Sequence, residues 1–206
     1  RLEPAEAADP EGSLSRGKRR MVDVSRLPDD LTPPTDDGGA AHLEGTRLPA
    51  VPLPATDGTE VDLSRLPGRL VLYVYPMTGR PDAALPEGWN DFPGARGCTP
   101  QSCSFRDHHA ELQALGVAEV FGLSTQTIDE QREAAERLHL PYPLLSDAAG
   151  DLRRALELPF FELDGGLYLK RMAMVITDGR IDKAFYPVFP PDRNAADVVA
   201  WLSAGR

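Results

Sequence analysis

Residues 69–75 read RLVLYVY, an almost unbroken run of apolar and β-prone residues between Gly68 and Pro76. A strand with one face in water would alternate apolar and polar residues, and this run does not. Continuous apolar strands of this length are typical of sheets that are covered on both faces. The run therefore predicts the central strand of an α/β fold.

Downstream of that strand, strand-like runs alternate with amphipathic helical patterns. The strand-like runs lie at 119–125 and 143–147, and the helical ones at 128–140, 152–158 and 194–202. Such alternation specifies layers of helices around a sheet. Residues 171–188 instead predict two strands joined at the Asp178-Gly179 turn, and a hairpin of this kind makes the sheet mixed. The expected architecture is a mixed central sheet flanked by helices.

Upstream of the strand, residues 51–63 place Asp57-Gly58 between alternating apolar residues, which predicts an N-terminal β-hairpin. Residues 1–46 are rich in Pro, Gly, Ala and acidic residues and lack sustained apolar periodicity, so they predict a disordered acidic tail. The basic cluster at 16–20 within it is interpreted as solvated charge, with an anchoring patch as the alternative. The folded domain is expected to span 47–206.

Composition narrows the classes of partner and the compartment. The 206 residues carry a net charge of −10, which argues against nucleic acid or an anionic membrane as the main partner. No run of about 18 apolar residues occurs that could span a bilayer. The first residues lack the apolar core of a secretory signal. Two neighbouring thiols without such a signal are typical of a reducing compartment, so we expect the cytoplasm.

The segment 79–97 separates the central strand from the cysteines. It is dense in Gly and Pro and carries Trp89 and Phe92, which predicts an ordered loop insertion rather than a helix or strand. Two interpretations remain open for it. The insertion is either a surface loop held down by its two aromatic residues or a lid that covers the cysteines and shapes the substrate.

Both cysteines of the chain lie in GCTPQSCSFRD, residues 97–107. Pro100 and the apolar spacing that follows it predict that a helix begins at Cys98. A cysteine in the first helical turn faces unpaired backbone N–H groups and the positive end of the helix dipole, so the thiolate is favoured. On one helix Cys103 would be rotated from Cys98 by about 140° and displaced by about 7.5 Å. A disulfide would therefore require the first turn to unwind.

The same segment resembles the active-site segment of the peroxiredoxins, specifically the bacterioferritin comigratory protein or peroxiredoxin Q group. The resemblance implies a thioredoxin-like α/β fold and a thiol peroxidase that reduces hydrogen peroxide or organic hydroperoxides. It assigns Cys98 as the peroxidatic and Cys103 as the resolving cysteine, joined in an intramolecular disulfide during turnover. It further implies no cofactor, a dithiol reductant such as thioredoxin, and a monomer or homodimer.

The resemblance extends to three other side chains. Arg171 stands where the family has its active-site arginine, and Pro76 and Thr78 follow the central strand as in the family. Two features depart from the family pattern. Cys98 lies 22 residues after Pro76, far more than in the family, and Ala95 stands where the family has a hydroxyl residue three positions before the cysteine. Thr78 is the candidate to supply that hydroxyl.

The cysteine segment also allows other interpretations. His108 and His109 lie close to the cysteines in sequence, but on a helix these side chains diverge, so no metal site is expected. Gln101 stands where the group often has Glu, and its amide can form hydrogen bonds but cannot act as a base. Buried structural cysteines, a thiol-disulfide oxidoreductase and a non-catalytic redox sensor remain as alternatives, although oxidoreductases usually carry Cys-x-x-Cys.

Overall fold

The computed structural model of the protein describes Leu27 and residues 31–205. The rest of the predicted tail, including the basic cluster at 16–20, lies outside the described residues. Along the described chain the strands are β1 (Pro52–Pro54), β2 (Glu60–Asp62), β3 (Arg69–Val74), β4 (Val117–Ser124), β5 (Leu144–Ser146), β6 (Phe160–Leu163), β7 (Gly166–Leu169), β8 (Met172–Thr177) and β9 (Arg180–Phe185). The helices are α1 (Cys98–Asp107), α2 (His109–Ala114), α3 (Ile128–Arg137), α4 (Asp151–Leu156) and α5 (Asn194–Ala204), with a 3₁₀ turn at Pro191–Arg193.

The main sheet has five strands in the order β5-β4-β3-β8-β9. Strand β3 runs parallel to β4 and antiparallel to β8, while β4 is parallel to β5 and β8 is antiparallel to β9. The mixed sheet that the sequence predicts is therefore confirmed. The predicted N-terminal hairpin is also present, because Pro52 of β1 pairs with Asp62 of β2 in an antiparallel ladder.

Strand β3 is central because it is apolar on both faces. Leu70, Leu72 and Val74 pack into one hydrophobic core, and Val71 and Tyr73 pack into the core on the opposite face. All five side chains are fully buried. Burial of apolar surface is the main driving force of folding, so this strand holds together the layers on both sides of the sheet.

The described end of the predicted tail packs against the domain instead of being disordered. Leu43 is fully buried in the core with β3, and the carboxylate of Asp37 lies 2.5 Å from Lys170 Nζ. Glu44 forms a second ion pair, at 2.7 Å, with Lys183. The prediction of disorder up to residue 46 differs from the structure here because these partners lie more than a hundred positions away in sequence. Local periodicity does not reveal such contacts.

A short hairpin, β6–β7, follows α4 and was not predicted. Its strands pair antiparallel around Asp164-Gly165, both of which have positive φ angles. The insertion 79–97 packs against it, since Trp89 is only 3% exposed and lies 4.9 Å from Tyr168, ring to ring. No helix in the described part of the chain is long and apolar enough to cross a membrane.

Candidate active site

Helix α1 begins at Cys98, as the sequence predicts. Gly97 precedes it with φ 98°, and a Cβ at this position would come within 2.6 Å of Pro191, so only glycine fits. Cys98 is 3% exposed and its thiol donates a long hydrogen bond, 3.5 Å, to the Ala95 carbonyl oxygen. Helix α1 ends at Asp107, and α2 begins at His109 after a break at His108.

The guanidinium of Arg171 faces the sulfur of Cys98. Arg171 directly precedes the buried strand β8, is 3% exposed, and its Nη2 lies 3.2 Å from Cys98 Sγ. The same nitrogen donates to the carbonyl oxygens of Gly94, Ala95 and Arg96 at 3.2, 3.3 and 2.9 Å. Strand β8 and the end of the insertion therefore hold the guanidinium in place beside the thiol.

No carboxylate among the described residues forms an ion pair with Arg171. A buried cation without a counter-charge is unfavourable, and neutral carbonyl and amide oxygens compensate it only in part. A thiolate at Cys98 would supply the missing negative charge, next to the unpaired N–H groups at the start of α1. The Arg171 guanidinium and the first turn of α1 therefore both face the sulfur of Cys98.

Gln101 contributes to the site in a way that the sequence alone does not reveal. Its Oε1 accepts a 2.5 Å hydrogen bond from Arg171 Nη1, and its Nε2 donates to Asn194 Oδ1 at 2.8 Å. Gln101 is fully buried, one helical turn after Cys98. It therefore joins α1, the start of α5 and the arginine in one network. The only hint in the sequence is an amide spaced to share a helix face with the cysteine.

Cys103 also lies on α1, so the structure does not bring the two thiols together. Both are free, and Cys103 is only partly buried. Burial raises the pKa of the Cys103 thiol above its ordinary value, with Asp107 acting in the same direction and Arg106 against it. Residues five apart on a regular helix have Cα atoms roughly 8 to 9 Å apart, beyond disulfide reach. A bond between them requires α1 to unwind locally.

Pro76 and Thr78, also expected at the site, are both buried at the end of β3. The backbone N–H and the hydroxyl of Thr78 donate to Gln126 Oε1 at 2.8 and 3.0 Å. Among the described residues no hydrogen bond joins Thr78 to Cys98. Ala95 stands where the family has its hydroxyl residue, and it is the backbone carbonyl oxygen of Ala95 that contacts the Cys98 sulfur. The role expected for Thr78 stays a prediction.

The insertion has the form of the first interpretation, a loop held down by its aromatic residues, while the lid stays a prediction. Its aromatic residues are held against β6–β7, because Phe92 stacks on Phe161 at 4.1 Å between ring centroids. Its last residues, Gly94 to Arg96, supply the carbonyl oxygens that hold Arg171. Within residues 31–205, no group of three or more His, Cys, Asp or Glu side chains is arranged to hold a metal ion.

A buried thiol at a helix start, faced by a buried arginine next to a mixed sheet, is the arrangement expected of a thioredoxin-like redox protein. The sequence profile of the Redoxin family matches residues 43–200. The crystal structure of peroxidoxin BcpB from Mycobacterium tuberculosis is 30% identical, with a TM-score of 0.63 over 80% of this chain and 99% of that one. The chloroplastic peroxiredoxin Q of Suaeda salsa is 28% identical over 162 residues, 78% of this chain and 68% of that protein.

A third relative, peroxiredoxin bcp1 of Schizosaccharomyces pombe, is 34% identical over 114 residues, 54% of this chain and half of that protein. The chain belongs to the Redoxin family and, within it, to the peroxiredoxin Q and bacterioferritin comigratory protein group. The thioredoxin-like fold and the family resemblance expected from the cysteine segment are both confirmed.

Proposed function

We propose that Cys98 and Cys103 carry the thiol peroxidase activity of this peroxiredoxin, with Cys98 as the peroxidatic and Cys103 as the resolving residue. Membership of the peroxiredoxin Q group supports the activity itself. The assignment of Cys98 rests on one distance, the 3.2 Å between Arg171 Nη2 and the Cys98 sulfur. Pro76 and Thr78 stay proposed members of the site on the family pattern alone.

In the first half of the reaction the Cys98 thiolate attacks one oxygen of the peroxide. A sulfur–oxygen bond forms, the O–O bond breaks, and the other oxygen leaves as an alkoxide or hydroxide that takes a proton to give an alcohol or water. Arg171 and the free N–H groups of the first turn of α1 face the charge that develops on the oxygens. Cys98 is left as a sulfenic acid, two electrons more oxidised than the thiol.

In the second half Cys103 attacks the sulfenic sulfur of Cys98. The disulfide forms and the sulfenic hydroxyl leaves as water, taking the thiol proton of Cys103, or one proton from the medium when Cys103 attacks as a thiolate. A dithiol then donates two electrons and two protons and restores both thiols. We propose that thioredoxin is this reductant. The cytoplasmic location and the monomeric or homodimeric state stay predictions.

The test is hydrogen peroxide consumption by the purified protein with a thioredoxin system. We expect Cys98→Ser to abolish turnover, because no thiolate then faces Arg171. Cys103→Ser should react once and stop at a sulfenic acid that a dimedone-type reagent traps on Cys98. Equal, slow rates in all three proteins would refute the two-cysteine mechanism and favour the redox sensor. Reduction of insulin disulfides without peroxidase activity would favour the oxidoreductase.

A further inference from the structure

Two tyrosine hydroxyls meet at Ser102, the residue directly before Cys103, and the mechanism above uses neither of them. The Tyr142 hydroxyl donates a 2.8 Å hydrogen bond to the Ser102 carbonyl oxygen, and the Tyr73 hydroxyl donates a 3.1 Å bond to the Ser102 hydroxyl. Ser102 and both tyrosines are buried. Both bonds form while α1 is helical, the form in which the two thiols lie apart.

The two bonds differ in which part of Ser102 they hold. The carbonyl oxygen belongs to the peptide group that joins Ser102 to Cys103, so it moves only with the backbone. This peptide group has to move when Cys103 approaches Cys98, because the disulfide requires α1 to unwind. The hydroxyl is on a side chain that rotates, and in a helix it has a second acceptor in the carbonyl oxygen four residues earlier. Of the two bonds, the one from Tyr142 therefore holds the backbone itself.

The Tyr142 hydroxyl is not free to follow the moving backbone. Pro141 and Pro143 flank Tyr142 and restrict its main chain. Its ring centroid lies 5.9 Å from that of Tyr73 and 5.7 Å from that of His109, so the ring is held between β3 and the start of α2. Burial raises the pKa of the Tyr142 phenol, which therefore stays protonated and able to donate. When α1 unwinds, this buried hydroxyl loses its acceptor.

We propose that Tyr142 is a positioning residue that keeps α1 helical after Cys98 has been oxidised, and thereby delays the attack of Cys103. The proposal rests on the proposed two-cysteine function. Cys103 reaches the sulfenic sulfur of Cys98 only from the unwound helix, so the rate of disulfide formation follows the fraction of molecules in which α1 is unwound. A buried hydrogen bond that exists only in the helical form lowers this fraction about tenfold.

A longer-lived sulfenic acid is exposed to a competing reaction. Its sulfenate form attacks a second molecule of peroxide. A second sulfur–oxygen bond forms, the O–O bond breaks, and the departing oxygen takes a proton to give water or an alcohol. Cys98 is then a sulfinic acid, two electrons more oxidised than the sulfenic acid, and Cys103 no longer forms a disulfide with it. Tyr142 therefore makes the enzyme more sensitive to inactivation by excess peroxide.

The first test separates the two steps by rapid mixing with hydrogen peroxide, acid quench and mass spectrometry. The rate of sulfenic acid formation depends on the peroxide concentration, and that of disulfide formation does not. In Tyr142→Phe we expect the disulfide to form about tenfold faster than in the wild-type protein and the sulfenic acid to form at the same rate. Tyr73→Phe is the matched control, because it removes the same group from the other bond to Ser102, and should change neither rate by more than about twofold.

The outcomes separate this proposal from the proposed function. An unchanged rate of disulfide formation in Tyr142→Phe, or an equal increase in Tyr73→Phe, would overturn the role of Tyr142 and leave the peroxidase function standing. Loss of both rates in Tyr142→Phe would show a general defect of the site and overturn that role as well. A wild-type protein that forms the sulfenic acid but no disulfide would refute the two-cysteine function and the role of Tyr142 together.

Hydrogen exchange of the reduced protein measures the unwinding without any peroxide. We expect the amides of the first turns of α1, such as that of Gln101, to exchange about tenfold faster in Tyr142→Phe than in the wild-type protein. The amides of α3 should exchange at the same rate in both. Equal exchange of α1 would contradict the proposal. Faster exchange of α3 as well would show that Tyr142 supports the whole fold, which also contradicts it.

Inactivation by excess peroxide is the third readout. With the thioredoxin system present, mass spectrometry measures the fraction of Cys98 that has become sulfinic acid at increasing concentrations of hydrogen peroxide. We expect Tyr142→Phe to need about tenfold more peroxide than the wild-type protein for the same fraction, and Tyr73→Phe to behave as wild type. Equal yields of sulfinic acid in all three proteins would overturn the proposal.

Discussion

Arg171 is the residue on which the geometry of the site depends most. Its two terminal nitrogens donate hydrogen bonds to the Gln101 side chain, to three backbone carbonyl oxygens and to the sulfur of Cys98. A planar guanidinium has five N–H donors in fixed directions and can make all of these contacts. A lysine ammonium is a compact point charge with only three donors. The position therefore requires arginine specifically, although a lysine would conserve the charge.

We predict that Arg171→Lys lowers the rate constant for oxidation of Cys98 by hydrogen peroxide by about 10²- to 10³-fold, the usual cost of losing a positioned donor to the developing charge. Stopped-flow fluorescence during a single turnover measures this rate. Arg132→Lys is the control, because Arg132 is an exposed residue of α3 paired with Asp129. A loss of less than about threefold in Arg171→Lys would show that positive charge alone is sufficient.

Cys103 gives a prediction about alkaline pH. Burial raises the pKa of its thiol in the folded protein above the ordinary value of 9.0. Above that pH the unfolded chain loses the proton while the folded protein keeps it, so the free energy of unfolding falls as the pH rises. Reduced Cys103→Ser lacks this contribution. In urea unfolding we expect the wild-type protein to lose more stability between pH 8 and pH 10 than Cys103→Ser does. Equal losses would contradict the prediction.

At the scale of elements, the proposed mechanism needs α1 to be ordered while Cys98 reacts with the peroxide and locally unwound while the disulfide forms. Ser102, between the two cysteines, accepts hydrogen bonds from Tyr73 at its hydroxyl, 3.1 Å, and from Tyr142 at its carbonyl oxygen, 2.8 Å. These contacts hold the helix in the form that places Cys98 beside Arg171. Formation of the disulfide has to break them or move the tyrosines.

We predict that oxidation to the disulfide removes the hydrogen-exchange protection of amides in the first turns of α1, such as Gln101, whose N–H donates to Gly97 in the reduced protein. Mass spectrometry of the reduced and peroxide-treated protein measures this. Cys103→Ser treated in the same way should keep its protection, because a sulfenic acid does not require unwinding. Helix α3 serves as the internal control. Unchanged exchange in the oxidised wild-type protein would contradict the prediction.

Sequence patterns predict a strand or hairpin correctly when the pattern lies within that element. They do not predict structure that depends on contacts between distant residues. The apolar run of β3 and the Asp-Gly turns of two hairpins are local, so these elements are predicted correctly. The hairpin β6–β7 also has an Asp-Gly turn, but its strands are four residues each and largely exposed or half-buried, so no alternation is visible. In the site, Arg171 is predicted from the family pattern, whereas the carbonyl oxygens of Gly94 to Arg96 have no side-chain signature.

At the scale of the whole molecule, residues 31–46 are part of the folded structure. Leu43 is fully buried, and Asp37 connects the segment to Lys170 and Tyr186 next to the active site. The Redoxin profile begins at residue 43, inside what the sequence predicts to be a tail. The physical reason for the misassignment is that one buried leucine and two ion pairs order the segment without any periodic pattern.

Asp37 therefore makes the stability of the whole protein depend on pH in the acid range. The hydrogen bond from Lys170, followed by that from Tyr186, holds the pKa of Asp37 well below its ordinary value of 3.8. Above about pH 4 the carboxylate is ionised in both the folded and unfolded chain, and its contacts contribute fully to stability. As the pH falls below that, the unfolded chain binds a proton first, so the contribution is progressively lost.

We predict that Asp37→Asn lowers the free energy of unfolding at pH 7 and that the difference from the wild-type protein shrinks toward pH 2.5, as measured by urea unfolding across the range. Asp36→Asn is the control, because that carboxylate accepts the Gly38 N–H and pairs with no described cation. A pH-independent difference in stability would show that Asp37 acts through packing rather than through its charge.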